Sequence, residues 1–347
     1  MNTYTLYLIL LAGGLSLLVH FLVIDVTHKK GIFMDSLDKI QKAHSIPTPR
    51  IGGLGIFLAC MLIINDSVLG TSLMLASIPA FISGFLEDYS GRVAPLQRLG
   101  IMLLSPVLCI IFMPASTITQ AFGADIPIVL SAAFTILISL AMVNGVNFID
   151  GQNGLASGSI LITQAAILTM GIMYQDTSVI YISAIILIST FTFMLFNYPF
   201  AKIFLGDGGA YFLGFITAIL VICLYSQHTQ HISFLLIPAL LIYPLWEVVF
   251  SIIRKMFFDK ISPLQSDKYH LHQLIFRNQA QSKHYIPSLI ILPMQLVIAV
   301  LAIWNAGSTG VLAMLILTYF AAYTVLYIYT KRLDMIKRAQ VLSKSNR

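Results

Sequence analysis

Residues Asn197–Phe215 read NYPFAKIFLGDGGAYFLGF, with a single acidic side chain, Asp207, set among glycines and flanked on both sides by apolar sequence. Taking a carboxylate out of water is costly unless it is paired or bound to a metal. Gly206, Gly208 and Gly209 remove side chains around it and open the backbone to close approach by a ligand. Two readings compete: a polar turn between two membrane helices, or a ligand site. The second gains from four other loops with similar polar clusters, all placed on the same side of a membrane by the reading below.

The chain has 347 residues, 58% hydrophobic and 10% charged, with a mean hydropathy of +0.89. Soluble domains carry about 25% charged residues, so this composition describes a polytopic membrane protein. Eleven apolar stretches approach the roughly 17–25 residues that span a bilayer. They lie near 4–24, 51–65, 68–86, 99–115, 127–146, 155–174, 178–196, 209–226, 232–252, 287–304 and 309–330. Their apolar character is continuous rather than alternating, which predicts an all-α protein and excludes a barrel. The whole chain, 1–347, reads as one integral-membrane domain with a basic tail over 331–347.

If the spans alternate, all 20 Lys and Arg fall on one side, in the loops after spans one, three, seven and nine and in the tail. The positive-inside rule makes that side cytoplasmic, so the N-terminus faces out and the C-terminus in. The net charge of +6 is then a topology signal suited to anionic lipid headgroups, and no argument for nucleic acid. The first apolar run has no basic region before it and no A-x-A-like cleavage site, so it reads as a retained helix. Cys60, Cys109 and Cys223 lie in apolar spans and imply neither a disulfide framework nor a zinc site.

The inward loops carry the chemistry-bearing residues. The first ends HSIPTPRIGGLGIF, His44–Phe57, where Arg50 beside a glycine-opened helix suits a phosphate or serves as an ordinary basic anchor. The next begins GFLEDYSGRV, placing Glu87 and Asp88 at a helix C-terminus, where adjacent carboxylates need a compensating cation: a divalent metal, or Arg92 and Arg98. NGVNFIDGQNGLASG, Asn144–Gly158, sets Asn147 and Asp150 three apart, on one helical face or in an inward-facing turn. Glu247, one of only two glutamates, precedes Arg254 by seven residues and predicts a structural ion pair between them. In SPLQSDKYHLHQLIF, His270 and His272 flank Leu271, so an extended chain turns both rings the same way, beside Asp267 and Lys268. The outward loops are short and carry only Asp66, Asp125 and Asp176 as charges. Chemistry is therefore expected at the cytoplasmic face.

PTPRIGGLGIF, the Glu-Asp pair, NGVNFIDGQNGLASG, AKIFLGDGGAYFLGF and DKYHLHQL occur in this order between His44 and Leu274. Together they resemble the polyprenyl-phosphate N-acetylhexosamine-1-phosphate transferases, relatives of the phospho-N-acetylmuramoyl-pentapeptide transferase. The resemblance implies an enzyme of the bacterial plasma (inner) membrane, dependent on Mg²⁺ with Mn²⁺ as a substitute ion. It would move N-acetylhexosamine-1-phosphate from a UDP-N-acetyl sugar to undecaprenyl phosphate, releasing UMP and starting a cell-surface polysaccharide such as O-antigen or capsule. Its partners would be those two substrates and membrane lipid; a homo-oligomer is compatible with it.

By the same resemblance Asp207 binds the metal, and Asp88, the second acid of the pair after Glu87, acts as metal ligand, base or nucleophile. Phe204 stacks on uracil, Asn147, Asp150 and Asn153 line the nucleotide-sugar pocket, and Arg50, His270 and His272 meet phosphates. The chain departs from the pattern at Glu87, where the family commonly has Asp, and at Asn153, where many members carry a second Asp. The histidine loop resembles the hexosamine branch more than the muramoyl-pentapeptide enzymes. A transporter would instead place charges at mid-membrane. A CDP-alcohol phosphotransferase would need an Ala-Arg pair where Gln152-Asn153 stands.

Overall fold

The structure is a computed structural model and describes residues 3–34, 48–65, 67–262, 265, 267–279 and 283–345, with side chains to 340. His44–Pro47 of the first polar loop, Lys39, Lys42 and Asp66 lie outside the described residues. Helices follow the apolar runs closely. In order they are α1 (Thr3–Lys30), α2 (Gly52–Cys60), α3 (Val68–Ser90), α4 (Pro95–Phe112), α5 (Ile128–Ile149), α6 (Leu155–Tyr174) and α7 (Thr177–Asn197). Then come α8 (Gly206–Gln227), α9 (Leu236–Leu240), α10 (Ile242–Ile253), α11 (Leu271–Asn278), α12 (Ile286–Trp304) and α13 (Thr309–Ser345). The strands among the described residues, β1 (Gln120–Ala121) and β2 (Ala124–Asp125), form one small antiparallel hairpin.

Among the described residues nine of these helices are long and apolar enough to cross a membrane, which makes this a multi-pass, all-α membrane protein. The two remaining stretches of the eleven are helical but shorter. In the second, nine α-helical residues run into a 3₁₀ turn over Met61–Asn65. Together they rise only about 24 Å, against a hydrocarbon core of about 30 Å. The ninth stretch breaks at Leu241 between α9 and α10. Pro244 explains the break: its ring lacks an N–H and crowds the carbonyl four residues back, that of Leu240.

The fold is organised around α8, whose residues from Gly206 through Tyr225 are all buried. It packs on α3 and α5 most extensively, and on α2 and α6. Small residues permit these approaches, as is usual between membrane helices. A Cβ on Gly84 of α3 would stand 2.3 Å from the Asp207 carbonyl carbon, and one on Gly53 of α2 would stand 2.2 Å from the Gly209 Cα. The outer helices show the reverse pattern. Leu10, Phe112, Val129 and Leu317 are exposed, an arrangement costly in water and favourable against lipid tails.

Candidate active site

The loop before α8 is shaped by Asn197, which is buried at the end of α7. Its amide donates to the Ile203 carbonyl at 2.9 Å, and its oxygen accepts the Gly154 N–H at 2.7 Å. The chain then runs beside the segment before α2. Phe204 N–H donates to Pro49, while Gly52 and Gly53 N–H donate to Phe204 and Leu205. This short parallel ladder delivers Arg50 and Asp207 to the same place. Gly206 completes the turn with φ +77°, and a Cβ there would lie 2.7 Å from Asp88 Oδ2.

Asp207 sits in the first turn of α8 and is the hub of the cluster. Arg50 Nη2 donates to its Oδ1 at 3.1 Å, Asn147 Nδ2 to the same oxygen at 3.0 Å, and Arg98 Nη1 to Oδ2 at 3.3 Å. Asp88, at the end of α3, accepts the Asp207 and Gly208 N–H groups at 3.0 and 2.9 Å. These are N–H groups that the first turn of a helix leaves without an internal partner, and a carboxylate suits the positive end of the helix dipole. Arg50 Nη2 also lies 4.0 Å from Asp88 Oδ1, so one guanidinium serves both acids. Asp150 closes the other side by accepting the Gly206 N–H. Burial pushes its carboxyl well above the usual range, with Arg50 pulling the other way.

Glu87 turns outward: its Oε2 accepts the Val93 N–H at 3.1 Å and its Oε1 lies 4.0 Å from Arg98. Arg98, which the sequence offers as a counter-ion for the Glu-Asp pair, meets Glu87 and also reaches Asp207, 3.4 Å from the Tyr211 hydroxyl. Asp88 and Asp207 thus share Arg50, with Arg98 on the other oxygen of Asp207. Beside the cluster a cavity of about 450 Å³ opens, lined by the chain just after α1 (Phe33, Met34), Arg50, Asp88 and Tyr89.

His270 and His272 form a second group against the same segment. His270 is extended at the N-terminus of α11, and its ring stacks on His272 at 5.6 Å and lies tilted against Phe148 at 5.1 Å. The rings lie side by side although only His270 is extended and His272 already belongs to the helix, so the contact does not come from the extended His-Leu-His spacing. Neither ring nitrogen of His272 has a hydrogen-bond partner, and its Nε2 lies 3.8 Å from where a Cβ on Gly151 would stand. Burial pushes the His272 imidazole down to about 4.

One sequence reading changes. The Glu247–Arg254 ion pair gives way to other partners: Glu247 meets His270 and Tyr323, and Arg254 meets Asp259 and Asp267. Arg254 opens a π-turn that runs to Asp259, and its guanidinium turns to the acids of that turn and of the loop beyond it. Asn153, just before α6, joins neighbouring elements and leaves its buried side-chain oxygen without a hydrogen-bond partner. Its amide donates to the Pro199 carbonyl and its backbone carbonyl accepts the Ser288 hydroxyl, both at 2.6 Å, so it ties α6 to the loop after α7 and to α12. Phe204 enters the ladder through its backbone and keeps a half-buried ring three residues before Asp207.

Known proteins carry this arrangement further. The profile of glycosyl transferase family 4 matches residues 70–225. A probable undecaprenyl-phosphate N-acetylglucosaminyl 1-phosphate transferase of Bacillus subtilis is 30% identical over 278 residues, 76% of each chain. The chain belongs to glycosyl transferase family 4. Within the family's wider circle, the undecaprenyl-phosphate alpha-N-acetylglucosaminyl 1-phosphate transferase of Thermotoga maritima is 28% identical over 74% of this chain and 77% of its own. A phospho-N-acetylmuramoyl-pentapeptide-transferase of Lactococcus lactis is 28% identical over 55% of this chain and 64% of its own. The family profile covers Asp88, Asn147, Asp150 and Asp207 but not the histidine loop.

Proposed function

We propose that this protein transfers N-acetylhexosamine-1-phosphate from a UDP-N-acetyl sugar to undecaprenyl phosphate at the cytoplasmic face of the bacterial plasma membrane. The product would begin a cell-surface polysaccharide. The observation that carries the reading is the meeting of Asp88 and Asp207 on one guanidinium, Arg50, at the N-terminus of a buried helix. The names of the relatives, which specify undecaprenyl phosphate and N-acetylglucosaminyl 1-phosphate, support it and make UDP-N-acetylglucosamine the first donor to test.

In this reaction an oxygen of the lipid phosphate attacks the β-phosphorus of the nucleotide sugar. The bond from that phosphorus to the oxygen bridging it to the α-phosphorus breaks, and UMP leaves with that oxygen. The second pKa of a phosphate monoester is about 6, so the attacking group is already largely ionised at neutral pH. The protein's part is then positioning and charge. Arg50 and Arg98 offer fixed donors to phosphoryl oxygens, and Asn147 holds Asp207 in one orientation.

The donor set suits Mg²⁺, which prefers oxygen ligands, keeps waters and needs only one or two carboxylates beside substrate phosphates. Among the described residues no group of three metal-ligating side chains occurs. Asp207 and Asp88 would hold the ion through the lone pairs left on Asp207 Oδ2 and on the Asp88 oxygens, since Asp207 Oδ1 already accepts from both Arg50 and Asn147. Bound there, it would neutralise pyrophosphate charge. Phe204 is the candidate platform for uracil, and His270 and His272 the candidate contacts for phosphate.

The test uses the purified full chain with undecaprenyl phosphate, Mg²⁺ and a panel of labelled UDP-N-acetyl sugars. Label passing into the organic phase with equal UMP release, and stopping on addition of EDTA, supports the reading and names the sugar. Folded protein that moves no label from any donor overturns it.

A further inference from the structure

Glu247 is 1% exposed in α10, within an apolar stretch where an ionisable residue points to function. Both of its oxygens are engaged. Oε1 lies 2.9 Å from His270 Nδ1, and Oε2 accepts the Tyr323 hydroxyl at 2.8 Å. A carboxylate only accepts, so the hydrogen between Glu247 and His270 sits on Nδ1; Nε2 is the nitrogen on the other side of the ring, 3.9 Å from Asp267 Oδ1, and a ligand reaching it would arrive beside that carboxylate. Tyr323 is equally buried and comes from α13, so its hydroxyl fixes the plane of the carboxylate from a third helix. The same α13 holds the far end of α11, through Arg277 to Asp334 at 3.2 Å and Asn278 to the Thr330 carbonyl at 2.7 Å. The short helix that begins at the histidine pair is thus secured at both ends.

We propose that Glu247 and Tyr323 are positioning residues that hold His270 in one tautomer and one orientation, with Nε2 presented to the phosphate-bearing substrate beside the Asn147–Gly151 segment. The inference rests on the function proposed above, in which His270 meets phosphate. The ring sits where this requires, against Phe148 and stacked on His272, which in turn faces Gly151. A carboxylate that orients an imidazole through one nitrogen, so that the other acts in a defined direction, is a general arrangement in metal and acid–base sites.

The experiment compares the full chain as wild type, Glu247→Gln, His270→Ala and the double variant, under steady-state turnover of the UDP-N-acetyl sugar. Losing an orienting partner typically costs about 10–100-fold in activity, and that loss is expected in kcat for Glu247→Gln. The KM for the nucleotide sugar should stay within about threefold, the pattern of an interaction made in the transition state. In the His270→Ala background Glu247→Gln should cost nothing further, because both changes remove one function. Losses that multiply, a change confined to KM, or wild-type kcat in Glu247→Gln would overturn the proposal. The division between kcat and KM decides by itself if His270→Ala leaves too little activity to measure. Should Glu247→Gln fail to fold, Tyr323→Phe removes a single hydroxyl and carries the same comparison, with a smaller loss of kcat expected. A wild type that releases no UMP would refute the proposed function instead, and that result appears before any variant is made.

Discussion

Asp88 and Asp207 meet through the backbone: both oxygens of Asp88 accept N–H groups of α8, from Asp207 itself and from Gly208, at 3.0 and 2.9 Å. Asp88 therefore caps the central helix while setting the position of the acid that starts it. An Asp88→Asn amide would turn a donor toward one of those N–H groups and leave it unsatisfied. The expected cost is about 1–3 kcal/mol of stability, together with loss of transfer, read as a lower midpoint in thermal unfolding and in the UMP assay. Unchanged stability would contradict the capping role.

Asp207→Asn keeps the shape of the side chain but removes its charge from between Arg50 and Arg98. Turnover is expected to fall by about 10²-fold or more, the scale seen when fixed electrostatic groups are lost at a reacting centre. Folding and membrane insertion should persist. Near-normal activity in a folded variant would remove Asp207 from the proposed metal site.

Gly84 and Gly53 carry the approach of α3 and α2 to α8. An alanine Cβ at either would lie 2.2–2.3 Å from α8 backbone atoms, which have no rotamer through which to yield. Overpacking of this kind costs about 1–3 kcal/mol or more, so both substitutions should lower the unfolding midpoint, and Gly84→Ala should also impair transfer by displacing Asp207. Gly14→Ala is the control, since nothing lies within 4 Å of its Cβ position. Equal midpoints for all three variants would refute the packing argument.

Much of this arrangement is legible in the sequence, for physical reasons. Bilayer-length apolar runs leave helices as the available solution, and polar residues stranded at the ends of such runs must find one another, as Arg50, Asp88, Asn147, Asp150 and Asp207 do. Hydropathy does not register Pro244, an apolar residue that nevertheless interrupts a helix, so the division into α9 and α10 is hidden. The Glu247 partnership is hidden differently. Arg254 is close in sequence, whereas Tyr323, 76 residues away, comes near only once α13 packs beside α10. Asn153 reads as a pocket residue through the resemblance alone; its hydrogen bonds serve the joints between α6, α7 and α12, while its buried side-chain oxygen has no partner.

The His272 imidazole, pushed down to about 4 by burial, makes stability depend on pH with a definite sign. An unfolded histidine titrates near 6.5, so between about 6.5 and 4 the unfolded chain binds the extra proton. Stability from this group is therefore complete above about pH 6.5, falls as the pH drops toward 4, and changes no further below that. Asp150, displaced upward, contributes the opposite slope, so the comparison must be made between variants. Thermal unfolding of wild type and His272→Gln from pH 7 to pH 4 should converge as the pH falls. Parallel curves would show that His272 is not held neutral.

The central claim is transfer of the sugar together with one phosphate, and a double-labelled donor tests it most directly. UDP-N-acetylglucosamine carrying ³H in the sugar and ³²P at the β-phosphorus is supplied with undecaprenyl phosphate to the wild type and to Asp207→Asn. The account predicts that both labels enter the organic phase in equal amounts with the wild type, matched by unlabelled UMP in water, and that neither does with the variant. Tritium arriving alone, with ³²P left in UDP, would mean cleavage at the sugar carbon and would contradict it.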